Sequence, residues 1–83
     1  MLNIKILGSG CANCQRLEAI ARQVLDQMGL EAEVVKVTEY LDIMAYHILS
    51  TPGLVINEKL VSAGRIPSAA EVTTWLTTAL ESA

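Results

Sequence analysis

The spacing of apolar residues changes once near the N-terminus, and this change restricts the possible folds more than any other feature. Leu2, Ile4 and Ile6 alternate with polar residues, which is the period of two typical of a β-strand. From Leu17 to Met28 the apolar residues instead recur at the i, i+3, i+4 and i+7 positions of a helix with one buried face. The sequence therefore predicts a strand followed by a helix of about four turns.

A second strand is predicted directly after this helix. Gly29 can end the helix in a left-handed conformation, and Leu30 can fold back onto its last turn. Residues 31–37 are rich in β-branched residues and are typical of a strand, with apolar side chains at Ala32, Val34, Val35 and Val37. A strand, a helix and a strand make a βαβ unit, so the two strands should be parallel with a right-handed crossover.

The middle of the chain predicts a second, weaker helix. Thr38 can cap this helix, which should run to about Leu49. Pro52 ends the segment and biases Thr51 toward an extended backbone. One side of this helix is expected to be lined by Tyr40, Ile43, Met44, His47 and Ile48.

A hairpin and a helix complete the chain. Residues 54–57 and 59–63 are strand-like runs so close together that only a hairpin can join them. Ser68 and Glu71 have the spacing of a capping box, with Ser68 as N-cap of the last helix. The buried face of that helix should carry Val72, Trp75, Leu76, Ala79 and Leu80.

These elements give the order β-α-β-α-β-β-α. Two parallel strands and an antiparallel hairpin pack economically as one mixed four-stranded sheet with helices on both faces, an α/β fold. The chain has 83 residues, of which 52% are hydrophobic, and this is enough for only one core. We therefore expect residues 1–83 to form a single domain.

Charge and hydropathy exclude several classes of partner. Six Lys and Arg against nine Asp and Glu give a formal net charge of −3, and the cations are scattered. Nucleic acid and an anionic membrane surface are therefore not expected as partners. The apolar runs are far shorter than the roughly 18 residues of a membrane span, and the start lacks the basic region of a signal peptide. We expect a cytoplasmic protein.

The chemistry is concentrated in Cys11-Ala12-Asn13-Cys14, where the first strand meets the first helix. A disulfide between such close cysteines would close almost no loop, so the pair has chemical rather than architectural value. In a reducing compartment such a pair is catalytic, redox-sensing or metal-binding.

The position of the pair favours thiol–disulfide exchange. Cys11 falls at the helix N-terminus, where unpaired N–H groups and the helix dipole favour a thiolate, so its pKa should be lowered. Cys14 lies in line with Leu17 and should be more buried. Cys11 would then attack a substrate disulfide, and Cys14 would resolve the mixed disulfide.

Three motifs together resemble the small thioredoxin-like redox-active disulfide proteins, over nearly the whole chain. They are Cys-Ala-Asn-Cys at 11–14, Ser-Thr-Pro-Gly at 50–53 and Gly-Arg-Ile-Pro-Ser at 64–68. The resemblance implies a thioredoxin-like fold and a dithiol–disulfide oxidoreductase acting on a disulfide-bearing protein, with a separate reductase to recycle it. No organic cofactor or metal is expected.

The resemblance also implies roles for individual residues. Cys11 is the attacking cysteine, Cys14 is the resolving cysteine, and Pro52 is a cis-proline that faces them. Thr51 offers its backbone to an extended substrate segment. The expected substrate-binding set is completed by Ala12, Asn13 and Gly53.

The sequence departs from typical thioredoxins at several points. No Trp precedes Cys11, and no Pro lies between the cysteines. Lys5 is the only charge in the first strand, where typical thioredoxins bury an acid, so the group that takes the proton of Cys14 stays unassigned. Glu18 and Arg65 are interpreted as solvated charges, and Trp75 as a core residue.

Two alternatives use the same cysteines. The first is a metal carrier resembling the copper chaperones and heavy-metal-associated domains, which have the order β-α-β-β-α-β. A structural zinc site needs about four ligands, and beyond the cysteines only His47 is a strong candidate. His47 is interpreted instead as packed or partly exposed. The second alternative is a redox-sensing docking module without turnover.

Overall fold

The computed structural model describes residues 2–8, 10–48 and 50–82. Its elements are β1 (Leu2–Leu7), α1 (Ala12–Met28), β2 (Ala32–Val37), α2 (Tyr40–Met44), β3 (Gly53–Ile56), β4 (Lys59–Ala63) and α3 (Ala69–Ser82). This is the predicted order. Over these ranges no helix has the length and apolar character needed to cross a membrane.

The four strands form one mixed sheet in the order β2-β1-β3-β4. Strands β1 and β2 are parallel, with Leu2 opposite Ala32 at the start of the register. Strand β3 runs antiparallel to both β1 and β4. The predicted α/β fold with a mixed sheet is confirmed.

Helices cover both faces of this sheet. Alternate residues of β1 point to opposite faces, so Ile4 and Ile6 join the core under α1 and α3. On the other face Leu7 packs with Ile43 of α2 and with Ile48. The larger core consists of Leu2, Ile4, Ile6, Leu17, Ala21, Val24, Leu25, Leu54, Ile56, Val72 and Leu76.

The C-terminus of α1 has the predicted form. Gly29 adopts a left-handed conformation with φ 65°, and its N–H donates to the carbonyls of Asp26 and Leu25. The N–H of Leu30 donates to the carbonyl of Leu25 at 2.9 Å. These bonds satisfy carbonyls that the end of the helix would otherwise leave unpaired.

The predicted second helix is too long and wrongly capped. Helix α2 has only 5 residues, its N-cap is Glu39 rather than Thr38, and the Glu39 side chain makes no capping hydrogen bond. The chain then turns at residues 45–47, and His47 has φ 59°, which an α-helix cannot accommodate. Leu49, the predicted end, lies outside the described residues.

The apolar side of α2 is also less buried than predicted. Ile43 and Ile48 are in the core, but Tyr40 is 70% exposed and Met44 39% exposed. His47 is exposed as well. A single helical turn can direct only a narrow stripe toward the sheet, so the other apolar side chains face solvent.

The hairpin contains an acid where a glycine would be favoured. Asn57 and Glu58 both have positive φ, 50° and 67°, as a tight two-residue turn requires. The carboxylate of Glu58 forms an ion pair with Lys5 at 2.6 Å and accepts a hydrogen bond from the Tyr46 hydroxyl at 3.1 Å. These contacts tie the turn to β1 and to the segment after α2.

The start of α3 confirms the predicted capping box. The Glu71 N–H donates to Ser68 Oγ at 3.2 Å, and the Ser68 N–H donates to Glu71 Oε1 at 3.1 Å. Arg65 donates two hydrogen bonds to the same carboxylate, so it is ion-paired rather than simply solvated. Trp75 packs against the core, whereas Leu80 is 43% exposed, contrary to expectation.

We expect Glu71→Gln to lower the melting temperature at pH 7 and to have a much smaller effect near pH 2. Hydrogen bonds from Arg65 and then from the Ser68 backbone lower the pKa of Glu71 to about 2. The stabilisation is therefore present above the ordinary carboxyl pKa of about 4.3 and is lost as the pH falls toward 2. Thermal unfolding of the parent protein and of Glu71→Gln at both pH values measures the difference in melting temperature.

Glu81→Gln is the matched control for this change. Glu81 lies near the C-terminus of the same helix, where a negative charge is unfavourable to the helix dipole. Removing that charge should not lower the melting temperature at either pH. Equal losses in both variants at pH 7 would contradict a specific role for the capping carboxylate.

Candidate active site

Cys11 occupies the N-cap of α1, immediately after the loop that follows β1. Its backbone is extended, with φ −69° and ψ 166°, and its Sγ accepts a hydrogen bond from the Cys14 N–H at 3.3 Å. No acidic residue lies in the first turn of α1. The Cys11 sulfur therefore lies next to the Cys14 N–H and at the positive end of the helix dipole. Both stabilise a thiolate.

The two thiols have opposite environments. Cys11 is exposed and Cys14 is buried, as predicted, and both are free cysteines. Hydrogen bonds from the thiol and then the backbone N–H of Cys14 lower the pKa of Cys11. Burial first, and then the interaction with Cys11, raises the pKa of Cys14. A thiolate accordingly forms on Cys11 before it forms on Cys14.

Gly8 allows the β1–α1 loop to approach the buried cysteine. A Cβ on Gly8 would overlap the Sγ of Cys14 and would lie 3.8 Å from the Cβ of Thr51. Gly8 is therefore the point at which Cys14 and Thr51 come together. The sequence alone does not reveal this steric role, because Thr51 approaches from a distant part of the chain.

The segment before β3 contains the expected proline. The Thr51–Pro52 peptide bond is cis. The Pro52 carbonyl accepts a hydrogen bond from the Gly64 N–H at 2.9 Å, which links the segment to the end of β4. Thr51 is exposed, whereas Pro52 and Gly53 are buried. A Cβ on Gly53 would lie 3.3 Å from Leu7 Cδ1 and 3.2 Å from Ile48 Cδ1, so the glycine allows these side chains to pack closely against the start of β3.

The other two expected substrate-binding residues lie on the surface. Ala12 and Asn13 are exposed in the first turn of α1, between the cysteines. Together with Thr51 they are the members of the predicted set whose side chains a partner could reach. The structure therefore brings Cys14 and Thr51 to Gly8, with Ala12 and Asn13 in the same turn as both cysteines.

A small pocket of about 70 Å³ lies beside Cys14. Its lining includes two charged groups, Glu18 and Lys36, whose side chains are ion-paired at 3.3 Å. The Glu18 side chain is 15% exposed and also pairs with Arg22, so interpreting it as a solvated charge was wrong. Hydrogen bonds from Arg22 and then Lys36 lower the pKa of Glu18. The sequence does carry a signal for this proximity, because Cys14 and Glu18 are one helical turn apart on α1 and therefore lie on the same side of the helix.

The two cysteines are not joined by further metal-ligating side chains in the part of the chain that the structure describes. Within the described ranges, no group of three or more His, Cys, Asp and Glu residues could hold a metal ion. His47 lies exposed in the turn after α2. The element order also differs from the β-α-β-β-α-β of the heavy-metal-associated domains, so that alternative is wrong about the fold.

We expect iodoacetamide to modify Cys11 before Cys14, with a half-maximal rate below the ordinary thiol pKa of about 8.5. Only the thiolate reacts, so the rate at Cys11 should fall as the pH drops through its lowered pKa. Cys14 should require a higher pH. Mass spectrometry of the alkylated peptides separates the two sites. Denatured protein is the control, and faster modification of Cys14 in the folded protein would contradict the assigned environments.

An exposed thiol at a helix N-cap, a buried thiol one turn later and a cis-proline segment beside them define a redox protein of the thioredoxin fold. The thioredoxin domain family matches residues 2–77. The chain belongs to this family, and it is a thiol–disulfide oxidoreductase.

Two relatives carry the name thioredoxin. One, from Methanothermobacter thermautotrophicus, is 39% identical over 72 residues, which cover 87% of this chain and 94% of that protein. The other, from Methanocaldococcus jannaschii, is 33% identical over 81 residues, which cover 98% of this chain and 93% of that protein.

Solved thioredoxin structures share the fold at low sequence identity. Thioredoxin-2 of the malaria parasite has a TM-score of 0.67 at 10% identity, covering 94% of this chain and 82% of that one. Thioredoxin 1 of Thermosipho africanus has a TM-score of 0.59 at 20% identity, covering 95% and 94%. At these identities the likeness shows the fold alone.

Proposed function

We propose that the chain exchanges disulfides with a protein partner, with Cys11 as nucleophile and Cys14 as resolving thiol. The observation that supports this assignment is the contrast between the two sulfurs. Cys11 Sγ is exposed and accepts the Cys14 N–H at 3.3 Å, whereas Cys14 is buried one turn further along α1. The first is accessible to a substrate and ionised more readily, and the second is reachable mainly by Cys11.

The exchange consists of two displacements. The Cys11 thiolate attacks one sulfur of the substrate disulfide, a Cys11–substrate disulfide forms, and the other substrate sulfur leaves and takes up a proton. Cys14 then loses its proton and attacks Cys11 Sγ, which releases the second substrate thiol. The substrate gains two electrons and two protons, and the protein dithiol becomes a disulfide. The same steps in reverse oxidise a partner.

Thr51 is the proposed contact for the substrate backbone. It is exposed, it precedes the buried Pro52, and its Cβ lies near the point at which Gly8 meets Cys14. A substrate segment in extended conformation could pair with the Thr51 backbone while its sulfur reaches Cys11. Ala12 and Asn13 would form the other side of the contact.

The partners and location follow from this chemistry. Turnover requires a disulfide-bearing protein and a reductase or small thiol that returns the pair to the dithiol. A dithiol that must be regenerated suits a reducing compartment, so we place the protein in the cytoplasm. We also propose that residues 1–83 act as one thioredoxin-like domain.

Equilibration with mixtures of oxidised and reduced dithiothreitol, followed by counting of free thiols, tests the proposal. We expect one two-electron transition, in which the oxidised-to-reduced ratio changes tenfold for each roughly 30 mV. A midpoint near about −270 mV would indicate a reductase, and one near about −120 mV an oxidant. If no disulfide forms between Cys11 and Cys14, the proposed exchange is excluded.

A further inference from the structure

A cleft of about 330 Å³, here called the hairpin cleft, lies between the β3–β4 hairpin and α3. It is far larger than the pocket of about 70 Å³ beside Cys14. Small-molecule sites in proteins begin at about 300 Å³, so the hairpin cleft is large enough to hold a ligand. Its lining includes the side chains of Ile56, Asn57, Lys59, Val61, Trp75 and Ala79.

The hairpin cleft lies at the end of the sheet away from the two cysteines. Ile56 is opposite Ile4, and the Asn57 N–H donates to the Asn3 carbonyl at 2.8 Å, so the cleft is near the start of β1. Cys11 comes after the end of this strand, which has 6 residues. At roughly 3.3 Å per residue, β1 separates the cleft from the dithiol by about 20 Å. The cleft is therefore distinct from the proposed exchange site.

The floor and walls of the hairpin cleft are apolar. Ile56 is 3% exposed and belongs to the larger core cluster. Val61, Trp75 and Ala79 pack against the same cluster but are only partly buried, so each leaves some apolar surface to the cleft. A hydrocarbon group that covered this surface would remove it from water, and this burial would stabilise a complex.

Lys59 gives the hairpin cleft a positive charge that no acid neutralises. Lys59 is exposed and forms no ion pair within the described part of the chain, and no described residue that lines the cleft is acidic. The neighbouring acid, Glu58, is bound instead to Lys5 and to Tyr46, which packs on the other face of the sheet. By contrast, most cations of this acidic chain are ion-paired, namely Lys5, Arg22, Lys36 and Arg65.

Two further hydrogen-bond donors belong to residues that line the hairpin cleft. Asn57 Oδ1 accepts the Asn3 N–H at 3.0 Å, and the amide nitrogen of Asn57 has no acceptor among the described residues. The indole N–H of Trp75 has no acceptor in the same ranges. An unpaired cation and unused donors around an apolar space favour a ligand with a hydrocarbon body and an anionic head, by charge and hydrogen-bond complementarity.

We propose that the hairpin cleft is a binding site for a small apolar carboxylate. The ammonium group of Lys59 pairs with the carboxylate, and the amide nitrogen of Asn57 donates to it. The hydrocarbon body of the ligand lies against Val61, Trp75 and Ala79. This site uses neither cysteine, so it is a second function that does not depend on the exchange of disulfides.

Titration of the reduced protein with octanoate tests the site. Trp75 is the single tryptophan of the chain and lines the cleft, so its fluorescence should change as the cleft fills. We expect saturation at one ligand per chain, with a dissociation constant of roughly 0.1 to 1 mM for a ligand of this size. Octanamide has the same carbon skeleton without the charge and should bind about fivefold more weakly. Added salt should reduce this difference.

Lys59→Met removes the charge and keeps an unbranched apolar side chain. It should weaken octanoate binding to the level of octanamide and leave octanamide binding unchanged. Arg16→Met is the matched control, because Arg16 is also exposed and without an ion pair among the described residues, but it lies on α1 near the cysteines. It changes the net charge equally and should leave both affinities unchanged. Equal losses in the two variants would overturn the site, since the net charge alone would then explain them.

Ala79→Leu tests the apolar part of the hairpin cleft by filling it. This change should lower the affinity for octanoate at least about tenfold, because the added carbons occupy the space of the ligand. Thr77→Leu adds a large side chain to the same helix at an exposed position outside the cleft and should bind octanoate normally. Normal binding by Ala79→Leu would place the ligand elsewhere and overturn the site.

The oxidation state of the cysteines separates this site from the exchange site. Octanoate should bind with the same dissociation constant to the reduced protein, to the oxidised protein and to Cys11→Ser. A dissociation constant that differs several-fold among these forms would place the ligand at the dithiol and overturn a separate site. Absence of saturable binding up to about 20 mM octanoate would also overturn it. Failure of the exchange reaction, by contrast, should leave octanoate binding intact.

A second copy of the chain is the competing occupant of the hairpin cleft, because β4 is an edge strand of the sheet. Sedimentation velocity should show a monomer both with and without octanoate. A dimer that octanoate or Ala79→Leu converts to a monomer would overturn the proposed site, because the cleft would then be an interface between two copies.

Discussion

Replacing Cys11 with Ser is expected to lower the rate of thiol–disulfide exchange by at least about a thousandfold. A serine hydroxyl does not ionise near neutral pH and cannot form the sulfur–sulfur bond that the first displacement requires. The N-cap itself should survive, because a Ser Oγ at this position can accept the same Cys14 N–H. Reduction of a protein disulfide, with dithiothreitol as the recycling thiol, measures the loss.

Cys14→Ser is the same chemical change one turn further into α1, and it should block the second displacement rather than the first. Cys11 remains exposed and its first displacement proceeds, but nothing then attacks the mixed disulfide. A covalent complex with the substrate should accumulate on non-reducing gels and disappear when a thiol is added. A fully active Cys11→Ser variant, or a complex that forms through Cys14 instead, would contradict the assignment of roles.

The sequence predicted the placement of the two cysteines because the evidence for it is local. A period of two ends at Leu7, a helical period starts within the next turn, and Gly29 ends the helix in the expected conformation. These are short-range properties of backbone and side chain, so they can be read in order along the chain. The exposed Cys11 and buried Cys14 follow from the same helix geometry.

The region after β2 was predicted less well for the opposite reason. A helix of one turn has few internal hydrogen bonds and depends on tertiary contacts for its stability, so its length is poorly encoded locally. The positive φ of His47, which ends the turn, has no sequence signal comparable to a glycine. The exposure of Tyr40 and Met44 could therefore be learned only from the structure.

Contacts between distant segments could not be predicted from the sequence either. Glu18 is held against Lys36 from the next strand, and Thr51 reaches Gly8 from beyond α2. Neither pairing follows from periodicity or spacing. Both depend on how the βαβ crossover and the hairpin pack on the sheet, and both lie directly beside Cys14. The part of the site that surrounds the resolving thiol is thus mainly a product of tertiary structure.

The helix that positions the dithiol should depend strongly on Leu17. This side chain is completely buried, one turn after Cys14, in the core shared by α1, α3 and the sheet. Leu17→Ala removes buried apolar area and leaves a cavity, which should lower the free energy of unfolding by about 3 to 4 kcal/mol. The total free energy of unfolding expected for a chain of this size is only about 4 to 12 kcal/mol.

Leu41→Ala is the matched control, since it deletes the same atoms from a side chain that is 80% exposed. It should change the free energy of unfolding by less than about 0.5 kcal/mol. Urea titrations of the reduced proteins, followed by the fluorescence of the single tryptophan, Trp75, compare the two. Because α1 carries both cysteines, the exchange activity of Leu17→Ala should disappear at a lower urea concentration than that of Leu41→Ala. Equal midpoints for the two variants would show that the core beneath the dithiol does not determine the stability of the site.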